Sequence, residues 1–340
     1  MASMDVFNDD AFSTTSLTGM VTNADYVPNL LGSLNIFEPE PVRTRNVFVD
    51  RRNGTQVLIP TSADGAAPAS ATSDDRSAVA LRTQRLANEF TLYATEVDGI
   101  RAHGSESELE AVMTEFAIRS DRLMGDMELT HEHHRLGALQ GLLLDADGTT
   151  VIYDYFSEFG ETQEAVISFE LDVDTTEVST ICKQVTRGMA RSARGAFLPT
   201  TQVHALCGDD FYDALITHES VKETYKNWEA AADLRIAQGL TFSAFAFGGI
   251  TFHNYRGTDD NSTVAIPTAE AKFFPVGARD MFKVAQSPLE SIEYINTLGQ
   301  EAYMMLVRDL HRDFWVKGET YSYPLYLCQQ PRVLRRGTLT

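Results

Sequence analysis

The sequence predicts an α+β fold built on one unusually long helix, with a smaller α/β unit inserted later in the chain. Three observations carry that expectation. Residues 105–141 contain no proline and repeat apolar side chains at three- and four-residue steps, the period of a helix with one apolar face. Asn53-Gly54 stands between two short apolar runs, Val47-Phe-Val49 and Val57-Leu-Ile59, the strongest short-range signal for a hairpin. From about residue 199 to Gly277, strand-like runs alternate with helical ones, as in a compact α/β unit.

Taken in order, residues 1–40 are short-patterned, with Tyr26-Val-Pro28 and Gly32 as breakers, and read as an arm with at most one short helix. The predicted hairpin about Asn53-Gly54 follows. Thr61–Ala80 consists almost entirely of Ala, Ser, Thr, Asp, Gly and Pro, with Val79 its one large apolar residue. Such a stretch buries too little to order itself and reads as a flexible loop. A further strand is expected at Phe90–Tyr93. Residues 42–99 together suggest a projecting ribbon with little core of its own, and an isolated ribbon is marginal in water. It calls for a partner surface.

The long helix should begin at a capping box formed by Ser105 and Glu108. Leu109, Val112, Met113, Phe116, Leu123, Met124, Met127, Leu136 and Leu139 form its apolar series. At 1.5 Å per residue the rod is about 50 Å long, and Gly125 is a place for a bend. Leu142–Leu144 and Val151–Tyr153 then flank the turn Asp145-Ala-Asp147-Gly148 as a second hairpin. Residues 174–192 read as helical and Thr201–Cys207 as a strand. Asp209 is placed to cap a helix over Phe211–Thr217, with another helix at Ser220–Trp228. Strands are expected at Phe242–Phe247, Gly249–Tyr255 and Ala271–Val276. Leu289–Leu327 holds further strands rich in Tyr and Met.

Composition excludes several functions. The chain has 340 residues, with 43% hydrophobic and 22% charged, an ordinary globular composition. No run approaches eighteen apolar residues, so no membrane-spanning helix is expected. The first basic residue is Arg43, so the basic start of a secretory signal is missing. Cys182, Cys207 and Cys328 are odd in number and far apart, which suits a reducing compartment. A net charge of −20 argues against a tight reader of duplex DNA. The charge is also segregated: residues 43–85 carry seven arginines against four acids, and residues 105–135 carry eight acids against three arginines. That pattern fits a basic arm lying on an acidic surface of a neighbouring copy.

No constellation in the sequence carries catalysis. Glu128-Leu-Thr-His131 matches half of a di-iron site, but such a site needs two Glu-x-x-His units. His131, His133 and His134 lack the spacing of a zinc-protease helix. Asp145-Ala-Asp147-Gly148 opens like a calcium loop but has no glutamate at the twelfth position. His204 and Cys207 lie three apart on a strand and point to opposite faces. No phosphate-binding loop, dinucleotide fingerprint or nucleophile elbow occurs. Neither a cofactor nor a metal is expected.

The stretches that remain resemble a known family. They are Asp10–Ser13, Tyr26–Gly32, Arg51–Thr55 leading to Leu58–Thr61, Gly99–Ser105, Glu132–Gly137 and Gly141–Gly148. Further along come Tyr153-Asp154 with Phe159-Gly160, His204–Gly208, Ile266–Thr268, Ala271–Gly277 and Asn296–Gly299. In this order they cover nearly the whole chain, which is similar to the lambda-type major capsid protein E family with the Hong Kong 97 fold. The resemblance implies an N-arm at 1–41, an extended E-loop at 42–99 and a peripheral domain at 100–198 with its spine helix at 105–141. It also implies an axial domain at 199–285 and a return to the peripheral domain at 286–340. The protein would then be a structural subunit of an icosahedral phage head, not an enzyme. Its partners would be other copies in hexamers and pentamers, with scaffolding, portal and decoration proteins possible in addition. Packaged DNA would be touched weakly, a membrane not at all, and assembly would occur in the host cytoplasm. An encapsulin-type compartment is the alternative within the fold, and a soluble enzyme the alternative outside it. The ribbon tip, Arg51, Arg52, Asn53 and Gly54, would meet Glu110, Glu115 and Asp121 on the helix of an adjacent copy.

Some capsids of this fold crosslink an E-loop lysine to a neighbour's asparagine. Here no lysine precedes Lys183, so the amine is missing. Boiled, denatured particles should run as one band near 37.7 kDa, and a ladder of multimers on the gel would contradict the assignment.

Overall fold

The computed structural model describes residues 30–53, 75–97, 108–222, 224–225, 244–255, 264–312 and 314–340. Elements follow in the order α1 (Leu30–Ser33), β1 (Glu38–Pro41), β2 (Asn46–Asn53), β3 (Asp75–Arg82), β4 (Leu86–Tyr93), α2 (Ala94–Val97) and α3 (Glu108–Gln140). After α3 come β5 (Leu142–Leu144), β6 (Val151–Asp154), α4 (Tyr155–Glu158), β7 (Ile167–Ser168) and α5 (Val178–Ser192). The inserted unit contains β8 (Gln202–Cys207), α6 (Asp209–Thr217), β9 (Ala244–Phe247), β10 (Ile250–Asn254) and β11 (Glu270–Val276). The chain closes with β12 (Phe282–Gln286), β13 (Tyr303–Arg308), β14 (Trp315–Ser322), β15 (Pro324–Cys328) and β16 (Arg335–Thr338).

The expected long helix is present as α3, which spans 33 residues and passes through Gly125 as one element. Its proposed capping residue Ser105 lies outside the described residues. Burial changes along its length. Between 116 and 127 one narrow stripe is buried (Phe116, Ser120, Leu123 and Met127), whereas from His131 to Leu139 most positions are. The described part of the helix therefore passes from one buried stripe at 116–127 to burial on nearly every side at its end. Gly141 stops it with a left-handed φ of 79°, a backbone that side chains disfavour. Its carbonyl then accepts from Tyr155 N at 3.0 Å, which docks the following hairpin.

β2 pairs antiparallel with β3, from Asn46 opposite Arg82 to Asn53 opposite Asp75, and the return strand expected at Val57–Ile59 lies outside the described residues. The β2–β3 pairing is a period-2 match. Val47 faces Leu81 and Val49 faces Val79 across the ladder, and Val47, Val49 and Leu81 are buried in the main core. Such cross-strand apolar pairs stabilise a ladder. Asp75–Ala80, read from composition as loop, is thus strand. Gly54 and residues 61–74 also lie outside the described residues.

β4 is no projecting element. All eight of its residues pair with β14, which pairs with β13 on its other side. Phe90 lies directly opposite Gly318, where a Cβ would run into its ring, and its edge meets Phe116 of α3 at 5.1 Å between centroids. The smaller sheet β1-β12-β15 packs on the buried end of α3, and the six-stranded sheet has the order β7-β16-β11-β8-β10-β9. That larger sheet reaches beyond the 199–285 segment, since β7 and β16 join it and α5 supports it through Cys182 beneath the Gly248 turn. The cap of α6 also differs from expectation. Gly208 is the N-cap, and Asp209 and Asp210 occupy the first turn. A side chain at 208 would collide with the Pro267 carbonyl and Thr268, so the acids take positions where the helix dipole favours them. The predicted hairpin at 142–154 forms as β5-β6.

Gly141→Ala should cost roughly 1–2 kcal/mol through its backbone alone, because an L-residue there is held left-handed. The added methyl would also meet the ring of Phe156. Urea unfolding of the isolated subunit reads this as a lower midpoint, and an unchanged midpoint would contradict the account of the helix stop.

Candidate assembly surfaces

The buried end of α3 carries a polar knot that holds four parts of the chain in register. Glu132 Oε1 accepts from the backbone N–H of Leu31 in α1 at 3.0 Å and from the hydroxyl of Tyr255 at 3.1 Å. Arg135 donates to Glu128 Oε1 at 2.6 Å and lies 3.6 Å from Glu132 Oε2. Its guanidinium covers the ring of Tyr326 in β15 at 5.4 Å. The hydroxyl of Tyr326 meets His131 Nδ1 at 2.7 Å. Burial pushes the Glu132 carboxyl above its usual range, against the opposing pull of the Leu31 amide and Arg135.

The histidines flagged by sequence prove to be packing groups. Burial holds His131 well below its ordinary pKa and brings His134 down to about 4. His133 Nε2 lies 3.1 Å from the Asp145 carbonyl in the next turn. His204 does not face Cys207; its Nδ1 lies 2.9 Å from Nε2 of His253 on the adjacent strand. Burial raises the Cys207 thiol far above its normal value, which disfavours the nucleophilic thiolate. Asp147 accepts from Thr149 and Thr150 within its own turn. Among the described residues no group of three His, Cys, Asp or Glu side chains is placed to hold a metal ion.

The outward half of α3 is different. Ile118 and Leu129 are large apolar side chains left 59% and 38% exposed. Eleven residues make almost exactly three turns, so the two share one line along the helix, about 16 Å apart. On either side of this line stand Glu115 and Asp121, about 120° apart around the axis. The two acids are not equivalent. Glu115 is held by Arg119 Nε at 2.8 Å, and Arg119 also binds Glu96 at 2.6 Å and the Thr91 carbonyl at 3.0 Å. Glu115 is therefore committed within its own chain, while Asp121 is exposed. Glu110 lies in the first turn of α3. The β2–β3 ladder sets Arg51 opposite Ser77, Arg52 opposite Arg76 and Asn53 opposite Asp75. Midway along that ribbon Phe48 is 69% exposed. Sequence reading chose charges and passed over Phe48, Ile118 and Leu129.

A long helix sunk at one end in the core, together with a two-stranded ribbon and an inserted α/β sheet, is the arrangement of a capsid subunit of the Hong Kong 97 type. The same fold occurs in a protein of an Escherichia coli CFT073 prophage assigned as its capsid protein, with a TM-score of 0.58 at 13% identity over 96% of this chain and 99% of that one. It also occurs in the capsid of an empty gene transfer agent (GTA) particle, with a TM-score of 0.52 at 9% identity over 93% and 92%. The chain belongs to the family of phage major capsid protein E, whose model matches residues 13–339. It is 23% identical to the major capsid protein of Salmonella phage Felix O1 over 95% of each chain. It is 30% identical to that of Pseudomonas phage KPP10 over 61% of this chain and 63% of the relative. The protein is a structural component of the phage virion, and multiple copies of it build the capsid shell.

The neutral, buried histidines generate a pH dependence. A histidine whose folded pKa is depressed gives stability that is present above its unfolded value near 6.5 and is lost as pH falls toward the folded one. For His134 and His253 that window runs from 6.5 down to about 4. Glu132, with its raised pKa, acts in the opposite sense. The urea midpoint of the subunit should therefore drop between pH 7 and pH 5, and His253→Gln should flatten that slope. A midpoint that stays level over this range would rule the effect out.

Proposed function

We propose that copies of this chain close into the icosahedral head of a tailed phage or prophage around double-stranded DNA, with each β2–β3 ribbon lying across α3 of a neighbouring copy. The observation that supports this is the exposed line of Ile118 and Leu129 on a helix whose other end is sealed in the core. Both side chains stand on the side of α3 away from its buried stripe. In this reading residues 1–41 are the N-arm, 42–99 the E-loop, with β4 anchoring it in the subunit's own sheet, and 100–198 with 286–340 the peripheral domain. Residues 199–285 form most of the axial domain, to which β7 and β16 are added. Assembly takes place in the host cytoplasm, with scaffolding, portal or decoration proteins as further partners.

Magnitudes decide which term holds the ribbon. An exposed ion pair contributes about 0.2–1 kcal/mol, and burying one Ile, Leu or Phe side chain contributes about 1.5–3 kcal/mol. Contact of Phe48 with the Ile118–Leu129 line therefore supplies most of the affinity. Arg51 and Arg52, drawn toward Glu110 and Asp121 of the neighbour, set approach and register. Glu115 has the smaller part, because Arg119 already neutralises it.

Ile118→Asp with Leu129→Asp should leave a soluble, folded subunit that forms no shells by electron microscopy and sedimentation. Reversing Arg51 and Arg52 to glutamate should only slow and weaken assembly, as should high salt on the native chain. Normal shells from the aspartate variant would refute the docking surface, and normal low-salt assembly of the glutamate variant would refute the steering role.

A further inference from the structure

The outer face of α5 departs from the charge of the rest of the chain. The protein carries 48 acids against 28 basic residues, yet α5, from Val178 to Ser192, contains no acid at all. Lys183, Arg187 and Arg191 succeed one another at steps of four, and Arg194 follows just past the helix end; all four are exposed. At about 100° per residue the three on the helix fall within a stripe about 80° wide. The stripe lies opposite the buried face formed by Val178, Cys182, Val185 and Met189. None of the four cations is ion-paired among the described residues. The guanidiniums of Arg332 and Arg335, by contrast, are tied down beside the same helix, to Glu161 and to Ser192 and Gly188.

Two bland explanations fall short. Cations near a helix C-terminus complement its dipole, which covers Arg191 and Arg194 but not Lys183 and Arg187, which stand one and two turns earlier. A merely solvated face in an acidic protein would mix signs, whereas here the acids Asp172, Asp174 and Glu177 all precede the helix. The stripe also lacks what a protein–protein contact needs. The other exposed positions of α5 are Thr180, Gln184 and Ala190, so there is no large apolar side chain to form an interface core. A straight row of unpaired cations without an apolar centre suits a regular polyanion, read through its charge and not its sequence.

We infer that the α5 stripe is a contact for the phosphates of packaged duplex DNA, and hence that this face of the subunit lines the inside of the shell. The inference rests on the reading of the protein as a DNA-enclosing capsid subunit. Four phosphate contacts per copy form a weak, salt-sensitive site, and the net charge of the remaining surface keeps it from becoming a strong one.

The test measures binding of a fluorescent duplex of about 20 base pairs to the unassembled full-length chain, by anisotropy from about 50 to 200 mM salt. Each phosphate contact contributes about 0.9 to the slope of log affinity against log salt. Arg187→Gln with Arg191→Gln should therefore flatten that slope by about 1.8. Native binding should fall about tenfold more than that of the variant across this range. Lys183→Gln with Arg187→Gln should produce the same shift, and both variants should keep the native circular dichroism spectrum. Coincident slopes for native chain and variants would overturn the inference. So would variants that bind DNA normally but form no shells, which would assign the stripe to an acidic surface of another copy. Failure of the native chain to form shells would sink the capsid reading instead, an outcome distinguishable from either.

Discussion

The molecule depends on one buried ionic arrangement, the carboxylate of Glu132 with the guanidinium of Arg135. They lie on the same face of α3, and each reaches a different part of the chain. Glu132 fixes the start of α1 through Leu31 and the end of β10 through Tyr255, while Arg135 lies over Tyr326 of β15. Burying an ion pair gives little net stability, but losing one partner strands the other in the interior at about 3–5 kcal/mol. The knot therefore acts as a register pin. The arm, the long helix, the closing strands and the inserted unit cannot move separately without exposing or orphaning a charge. Apolar burial around it, from Leu31 through Tyr155 to Leu334, supplies the stability that the charges do not.

That pin explains how one helix can serve two purposes. Because its C-terminal half is gripped on nearly every side, its N-terminal half can present a face to another molecule without losing its place. Phe90 against Phe116 and the Arg119 fork onto Thr91, Glu96 and Glu115 brace the outer half from one side only. The opposite side remains bare, and Ile118 and Leu129 lie on it. A capsid subunit needs this combination. The contact surface must be rigid enough to be identical in every copy, and incomplete enough to require a neighbour.

The long helix, the 142–154 hairpin and the alternating inserted unit were legible because each is specified by local pattern and by Gly or Asx punctuation. What failed to show was whatever depends on a distant partner. The strand that pairs with β2 was read largely as loop, because Val79 and Leu81 match Val49 and Val47 only across the ladder. Asp209 looked like a cap until the carbonyl of Pro267, sixty positions away, left room only for glycine at 208. β16 and β7 join the inserted unit's sheet from outside its segment, a relation with no local trace. At the assembly surface the charges were visible as sums over segments, but their commitments were not. Glu115 counted as a free acid although Arg119 holds it, and Ile118 and Leu129 fell outside the apolar series that was read as the helix face.

The acidic balance of the chain constrains how its copies can meet. With a net charge of −20, two subunits repel each other, but at physiological ionic strength that repulsion fades beyond about 8 Å. Assembly is then governed by what lies within contact range, where a few aliphatic side chains outweigh several exposed ion pairs. Each such contact is modest, and it must be, since a shell is built by many placements and a misplaced copy has to be able to leave. Repetition in every copy turns a modest contact into a stable particle, as linked sites gain strength without any single one becoming tight. The same reasoning explains why a stripe of basic residues can sit on α5 of an acidic protein. Set against a repelling wall, a small number of unpaired cations marks where a polyanion rests, and the surrounding acids keep it from being held there.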